Sequence, residues 1–312
     1  MARIDTLANF LTDVATAIKT KTGKTDPITP ANFDTEIKNI EAGGSEDEEL
    51  VASYISCIDG SLGANCTKLP NGITSIGEKA FYDYTNLALT ELPESIISIG
   101  SNAFNNCINL ALTKLPSGIT SISSNTFNNC PKLALTELPS GITSIGDRAF
   151  YECKLALTKL PSGTTSIGEY AFGYCTNLAL TELPSGITLI GDFAFCGCTN
   201  LALTELPENI TLIDSYVFYG CTSLTEMTCL GDITRVSDAA FNGCTNLTKL
   251  AFPNITSVPT VYTNTFTSTP IESGTGYIYV PDDLVDSFKS ASDWSSYANQ
   301  IKPISELPTE EA

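Results

Sequence analysis

Residues 138–153 read LPSGITSIGDRAFYEC, and residues 183–198 repeat the phrase as LPSGITLIGDFAFCGC. Working outward, its phenylalanine recurs as Phe81, Phe104, Phe127, Phe150, Phe172, Phe195, Phe218 and Phe241, in steps of 23 residues with one step of 22. The short step is a deletion after Cys153, where CKLAL replaces the CTNLAL that begins at Cys175. Prolines keep the same beat at Pro70, Pro93, Pro116, Pro139, Pro161, Pro184 and Pro207. So does a β-branched column of Ile76, Ile99, Ile122, Ile145, Ile167, Ile190, Ile213 and Val236. One such unit is too small to bury its own apolar face. Stacked units bury each other's, so the pattern predicts a solenoid.

Within a unit, LALTELP predicts a short strand ended by proline, which lacks the N–H a ladder needs and fixes φ for a turn. SGITSIG predicts a glycine-permitted turn and a second brief extended piece. D-x-A-F-x-x-C predicts a single helical turn that carries Ala, Phe and Cys inward. Successive strands are expected in parallel, about 4.8 Å apart, which makes eight units a rod on the order of 40 Å long. Two units depart from the phrase: LTEMTCLGDITRVSDAAF at residues 224–241 and LTKLAFPNITSV at residues 247–258. Their surface chemistry and curvature are expected to differ from the rest.

The 312-residue chain carries 16 Lys and Arg against 35 Asp and Glu, a formal net charge of −19, with 42% hydrophobic residues. That apolar content builds a core and excludes a disordered acidic tail. The charge argues against nucleic acid and against anionic membrane surfaces. There is no histidine, which removes Ser-His-Asp and Cys-His nucleophiles, HExxH zinc sites and facial-triad iron sites. No metal, no cofactor and no enzymatic activity are expected. No apolar run is long enough for membrane insertion. In the opening MARIDTLANFLTDVATAIKTKTG, Asp5 and Asp13 interrupt the apolar residues, so no signal peptide is legible.

The repeated strings resemble the BspA-type leucine-rich repeat, a bacterial 23-residue class, over roughly residues 58–271. The resemblance implies a curved solenoid, with right-handed coils, used for adhesion or molecular recognition, and it implies no catalysis. The segment GYIYVPDDLVDSFKSASDWSSYANQIKPI, residues 276–304, resembles the C-terminal cap common in that family. It is read as a strand at Tyr277 to Val280 and an amphipathic helix, with Leu284, Val285, Phe288 and Trp294 facing the last coil.

Four regions result. Residues 1–42 are read as a helical hairpin for attachment or oligomerisation. Ile4, Leu7, Leu11, Val14 and Ile18 share one helical face, Gly23 is the stop, and Thr29-Pro30 starts a second helix bearing Phe33, Ile37 and Ile40. The phrase AIKTKTGKTDPITPANFDTEI, residues 17–37, resembles short N-terminal modules of prophage tail-fibre-like proteins of gut bacteria. Residues 43–50 are an acidic linker, residues 51–271 the solenoid, and residues 272–312 a C-terminal cap and tail.

Cys107, Cys130, Cys153, Cys175, Cys198, Cys221 and Cys244 occupy one repeat position, filled by Tyr84 in the first unit. They are read as buried free thiols, and Cys196-x-Cys198 is a poor zinc motif without partner ligands. Two residues before each proline stand Lys68, Glu91, Lys114, Glu137, Lys159, Glu182 and Glu205, followed by Thr228 and Ala251. The alternating signs are read first as a device that fixes register through neighbouring opposite charges. Where alternation stops, Glu182, Glu205 and Thr228 form a candidate ligand-facing patch. Aromatic residues outside the core columns supply a second candidate: Tyr170, Phe193 and Tyr216, just before the inward Ala-Phe or Val-Phe pair, with Tyr82, Tyr84, Tyr151, Tyr174 and Tyr219 nearby. No two carboxylates stand out as a glycosidase pair.

The reading is a non-enzymatic recognition solenoid for a protein or glycan, with self-association expected through residues 1–42. A phage- or prophage-encoded tail-fibre-like protein is the first setting, virion-associated. A bacterial cell-surface adhesin of the BspA type is the alternative, and a carbohydrate-active enzyme is a third.

Overall fold

The computed structural model describes residue 69 and residues 73–308. The expected hairpin of residues 1–42, the linker, the first part of the solenoid and the last four residues of the tail lie outside the described residues, as do Lys68 and Pro70. Among the described residues the chain is a parallel-strand solenoid in which each strand pairs with its equivalent one coil away.

The core is built from repeated columns. Rings of Phe81, Phe104, Phe127, Phe150, Phe172, Phe195, Phe218, Phe241 and Phe266 stack with centroids 5.3 to 6.0 Å apart and planes within 15°. Each aromatic contact contributes about 0.5–1.5 kcal/mol beyond the area it buries. Beside the rings runs the cysteine column. From Cys107 to Cys244 each thiol donates to the carbonyl of the phenylalanine in the coil before it, at 2.9 to 3.1 Å. Burial pushes these thiols up, Cys130 and Cys244 to about 12, so they act as small hydrophobes with a satisfied donor. All described cysteines are buried with free thiols.

The brief T-S-I pieces form the strands of the regular coils. Ser75–Ile76 pairs with Ser98–Ile99, and Ser121–Ile122, Ser144–Ile145, Ser166–Ile167 and Leu189–Ile190 form one sheet. Leu212–Ile213, Arg235–Val236 and Thr260–Val261 form the next. In each pair the isoleucine or valine points inward.

The phrase LALTELP behaves differently from the strand its composition predicts. In the regular coils it keeps isolated bonds such as Ala134 N to Leu112 O and Ala179 N to Leu157 O, both 3.0 Å. The reason lies in the pattern. Leu178, Leu180 and Leu183 are buried while Thr181 and Glu182 both face out, and two successive outward residues break the period of two that a strand requires. In the departing coils the period is restored. Glu226–Cys229 alternates half-buried and buried residues strictly and pairs with Glu205–Leu206 and Lys249–Ala251. Leu230 stands in the proline column, and its N–H reaches Leu206 O at 3.0 Å, a bond no proline can make.

The A-F-x-x-C segment is also not the predicted helical turn. Two residues per coil have positive φ, for example Arg148 at 50° and Glu152 at 59°, which a right-handed helix excludes. The amides of Ala149, Tyr151 and Cys153 close turns within their own coil, onto Gly146, Arg148 and Phe150. Those of Arg148, Phe150 and Glu152 donate to Glu169, Ala171 and Gly173 of the next coil at 2.8 to 2.9 Å. A helical turn aims its N–H groups along its own axis and offers no lateral ladder. This ribbon of turns supplies one.

Beyond the repeats, Pro270–Ser273 is one short helical turn and Tyr277–Val280 adds to the edge strand Lys249–Ala251 in parallel. Ile301–Pro303 adds a further strand that the sequence reading missed. The helix Val285–Ser290 buries Phe288. Trp294 lies past that helix, fully buried, and donates its indole N–H to Pro259 O at 2.7 Å.

Over Glu137, Lys159 and Glu182 the charge column does not form the ladder of opposite neighbours expected of it. Lys114 places its ammonium 2.9 Å from Glu94, and among the described residues no ion pair joins Glu137, Lys159 and Glu182. These are exposed side chains, and holding two of them together costs rotamer entropy that water-screened attraction barely offsets.

Candidate functional site

Two surfaces carry the predicted site residues, and they lie on different segments of the coil. The first is the ribbon of turns. Tyr170, Phe193 and Tyr216 occupy one column, all half-buried, with φ of 54°, 58° and 58°. A bulky residue in that region costs about 1–2 kcal/mol. Two interactions offset it. Each amide donates to the next coil, to Asp192, Ser215 and Asp238 at 2.9 to 3.0 Å. The rings stack, Tyr170 on Phe193 at 4.3 Å and Phe193 on Tyr216 at 4.5 Å, with planes 6° apart.

Both ends of this stack carry a polar contact. The Arg148 guanidinium sits 4.8 Å from the Tyr170 centroid and pairs with Glu169 at 3.1 Å. The Tyr216 hydroxyl donates to Asp238 at 3.1 Å, and that hydrogen bond is the first cause raising its pKa. Both faces of Tyr170 and Phe193 are therefore spent on stacking and on the guanidinium. Tyr174 is more exposed and lies against Gly197 of the next coil. The adjacent Cys196 sulfur, first by its charge and then by a hydrogen bond, pushes the Tyr174 hydroxyl up to about 12.

The second surface is the sheet face formed by the departing coils. Glu205 and Thr228 are register partners, Glu226 opposes Lys249, and Thr228 opposes Ala251. The Lys249 ammonium is 3.1 Å from the Glu226 carboxylate, both about one-third exposed. Thr204, Glu205, Glu226, Met227, Thr228, Lys249 and Ala251 line an open cleft of about 330 Å³, and Leu307 and Pro308 of the C-terminal segment complete it. Glu182 stands exposed one coil before Glu205 and does not line the cleft. The structure thus brings Glu205 and Thr228 together, brings Tyr170, Phe193 and Tyr216 together, and places the two groups in separate columns.

Sequence reasoning missed Glu226, Lys249, Leu307 and Pro308. Two signals were present: opposite charges 23 residues apart in the departing coils, and Glu306-Leu307-Pro308 repeating the E-L-P of the coils. Among the described residues no cluster of carboxylates and thiols has the geometry of a metal site, and no helix is long and apolar enough to cross a membrane.

The model of the BspA type Leucine rich repeat region matches residues 60–179 and 165–280, with six copies. The chain belongs to this family. BspA-type proteins are typically non-enzymatic binding proteins, and the ladder of coils described above is their architecture. Among solved structures, a leucine-rich repeat protein from Bacteroides ovatus matches with a TM-score of 0.53 and 26% identity, over 67% of this chain and 59% of that one. This BspA-type chain therefore spans under two-thirds of the length of that relative. A leucine rich cell surface protein from Faecalibacterium prausnitzii matches at 25% identity over 77% of this chain and 78% of its own, with a TM-score of 0.39. No curated protein matches the chain.

Proposed function

We propose that the chain is a recognition solenoid of the bacterial surface that binds a protein or glycan across the sheet face around Glu205 and Thr228. One observation carries the reading. The cleft coincides with the coils that abandon the repeated phrase. A repeat maintained for packing alone has no reason to change its outward residues there, and a true sheet with mixed polar lining is a surface suited to contact. Family membership supports the adhesive role.

Residues 1–42 are proposed to attach the solenoid or to join copies of it. The virion setting, which rests on the resemblance of residues 17–37, is the second form of the same binding function. Neighbouring tail genes, as opposed to secretion or sortase genes, would favour it.

The binding face is tested on an array of host proteins and glycans with the full chain and two charge reversals. Glu205→Lys is expected to lose the captured partner and Glu91→Lys to retain it. Equal losses would remove the sheet face from the proposal. Light scattering tests the role of residues 1–42, since a monomer at micromolar concentration would overturn self-association.

A further inference from the structure

We infer that the cleft on the sheet face receives a lysine or arginine side chain of a partner protein; the inference rests on the proposal that this face is the binding surface. Charge and shape carry it. Glu226 is held by Lys249 at 3.1 Å, whereas Glu205, on the facing edge of the same cleft, takes part in no ion pair among the described residues. Exposed Glu182 stands on the coil before it, and the chain as a whole is −19, so the field over this face favours a cation. The hydroxyls of Thr204 and Thr228 flank Glu205 and offer acceptors for the remaining N–H groups of an ammonium or guanidinium.

The opposite rim is apolar. Leu307 and Pro308 stand there, a surface along which the methylene stem of a long basic side chain buries its carbon while the charged head reaches Glu205. Lys249 does not fill this role itself, since its ammonium is committed to Glu226 and its strand position opposes Glu226 in register. A cleft of about 330 Å³ is large enough for one such side chain, which makes the pocket an anchor within a larger contact.

The test is calorimetric titration of the full chain with short synthetic peptides carrying one lysine or one arginine, and with the same lysine peptide acetylated on its ammonium. The basic peptides are expected to bind, and acetylation to abolish the signal. Glu205→Gln is expected to weaken binding about fivefold, the scale of one partly exposed ion pair, while Glu137→Gln, which removes the same charge three coils earlier, leaves it unchanged. Thr228→Lys supplies a cation from the chain itself and is expected to block the cleft. Equal effects of Glu205→Gln and Glu137→Gln, or binding that survives acetylation, would overturn the inference. An array partner that is a neutral glycan, lost on Glu205→Lys, would also overturn it and would leave the sheet face standing as the binding surface.

Discussion

The coils that keep the repeated phrase and those that depart from it share one core and differ in what they turn outward. In the first group the buried leucines follow the pattern of Leu178, Leu180 and Leu183, and the segment before the proline stays irregular. In the second, Met227 and Cys229 restore a period of two, and a five-stranded parallel sheet runs to Ile301–Pro303. Moving one buried residue along the segment, and replacing one proline by Leu230, converts an irregular edge into a sheet with a cleft. A repeat protein can thus alter its surface while its interior columns continue undisturbed.

The shared core gives the largest expected effect. Phe150→Ala in a regular coil and Phe241→Ala in a departing one each remove a fully buried ring stacked on both sides. Each is expected to cost about 3–5 kcal/mol, read from the urea midpoint. A clear inequality between them would show that the two groups of coils do not share one cooperative interior.

Next comes the proline column. Leu230→Pro removes the N–H that reaches Leu206 O and is expected to cost about 1–3 kcal/mol, the penalty for a backbone acceptor left without its donor inside a sheet. Pro184→Ala in a regular coil is expected to stay within about 0.5 kcal/mol, because no ladder exists there for a new amide to join. A neutral Leu230→Pro would break the account of why the sheet begins where it does.

Much of this was legible in the residues. The columns of Phe, Cys and Ile announced the solenoid and its core because each recurs at a position whose only physical requirement is to be buried. What stayed illegible depended on directions that composition does not encode. Whether A-F-x-x-C winds as a helix or as lateral turns is decided by hydrogen bonds to the next coil, which one unit read alone cannot display. Tyr170, Phe193 and Tyr216 were recognised as one column, yet their mutual stacking follows from the φ of their backbone. Half of the cleft was visible in Glu205 and Thr228. Its other rim, Leu307 and Pro308, returns from the far end of the chain.

The ribbon offers a smaller test. Gly197 has φ of 71°, and a Cβ there would meet Cδ1 of Tyr174 at 2.6 Å. Gly197→Ala is expected to cost about 1–2 kcal/mol through backbone strain, with a further part from displacing the ring. Adding Tyr174→Ala is expected to recover the second part and leave the first, measured as a double-mutant cycle of thermal or urea unfolding. Full recovery would mean that the ring alone, and not the left-handed backbone, demands glycine.

The smallest effect separates the two charge patterns. Lys249 and Glu226 face one another in register on a true sheet at 3.1 Å, so Glu226→Gln is expected to cost about 0.2–1 kcal/mol. Lys159 sits in the alternating column of the regular coils without an ion pair among the described residues, and Lys159→Ala is expected to change stability by less than the error of a urea melt. The distinction is electrostatic, so it has a signature that packing would not share. Above about 1 M salt, where the screening length falls to about 3 Å, the cost of Glu226→Gln should shrink toward that of Lys159→Ala. A cost that persists at high salt would mean that the carboxylate acts through shape and hydrogen bonding on the sheet face, and that the opposite charges facing each other across it are incidental.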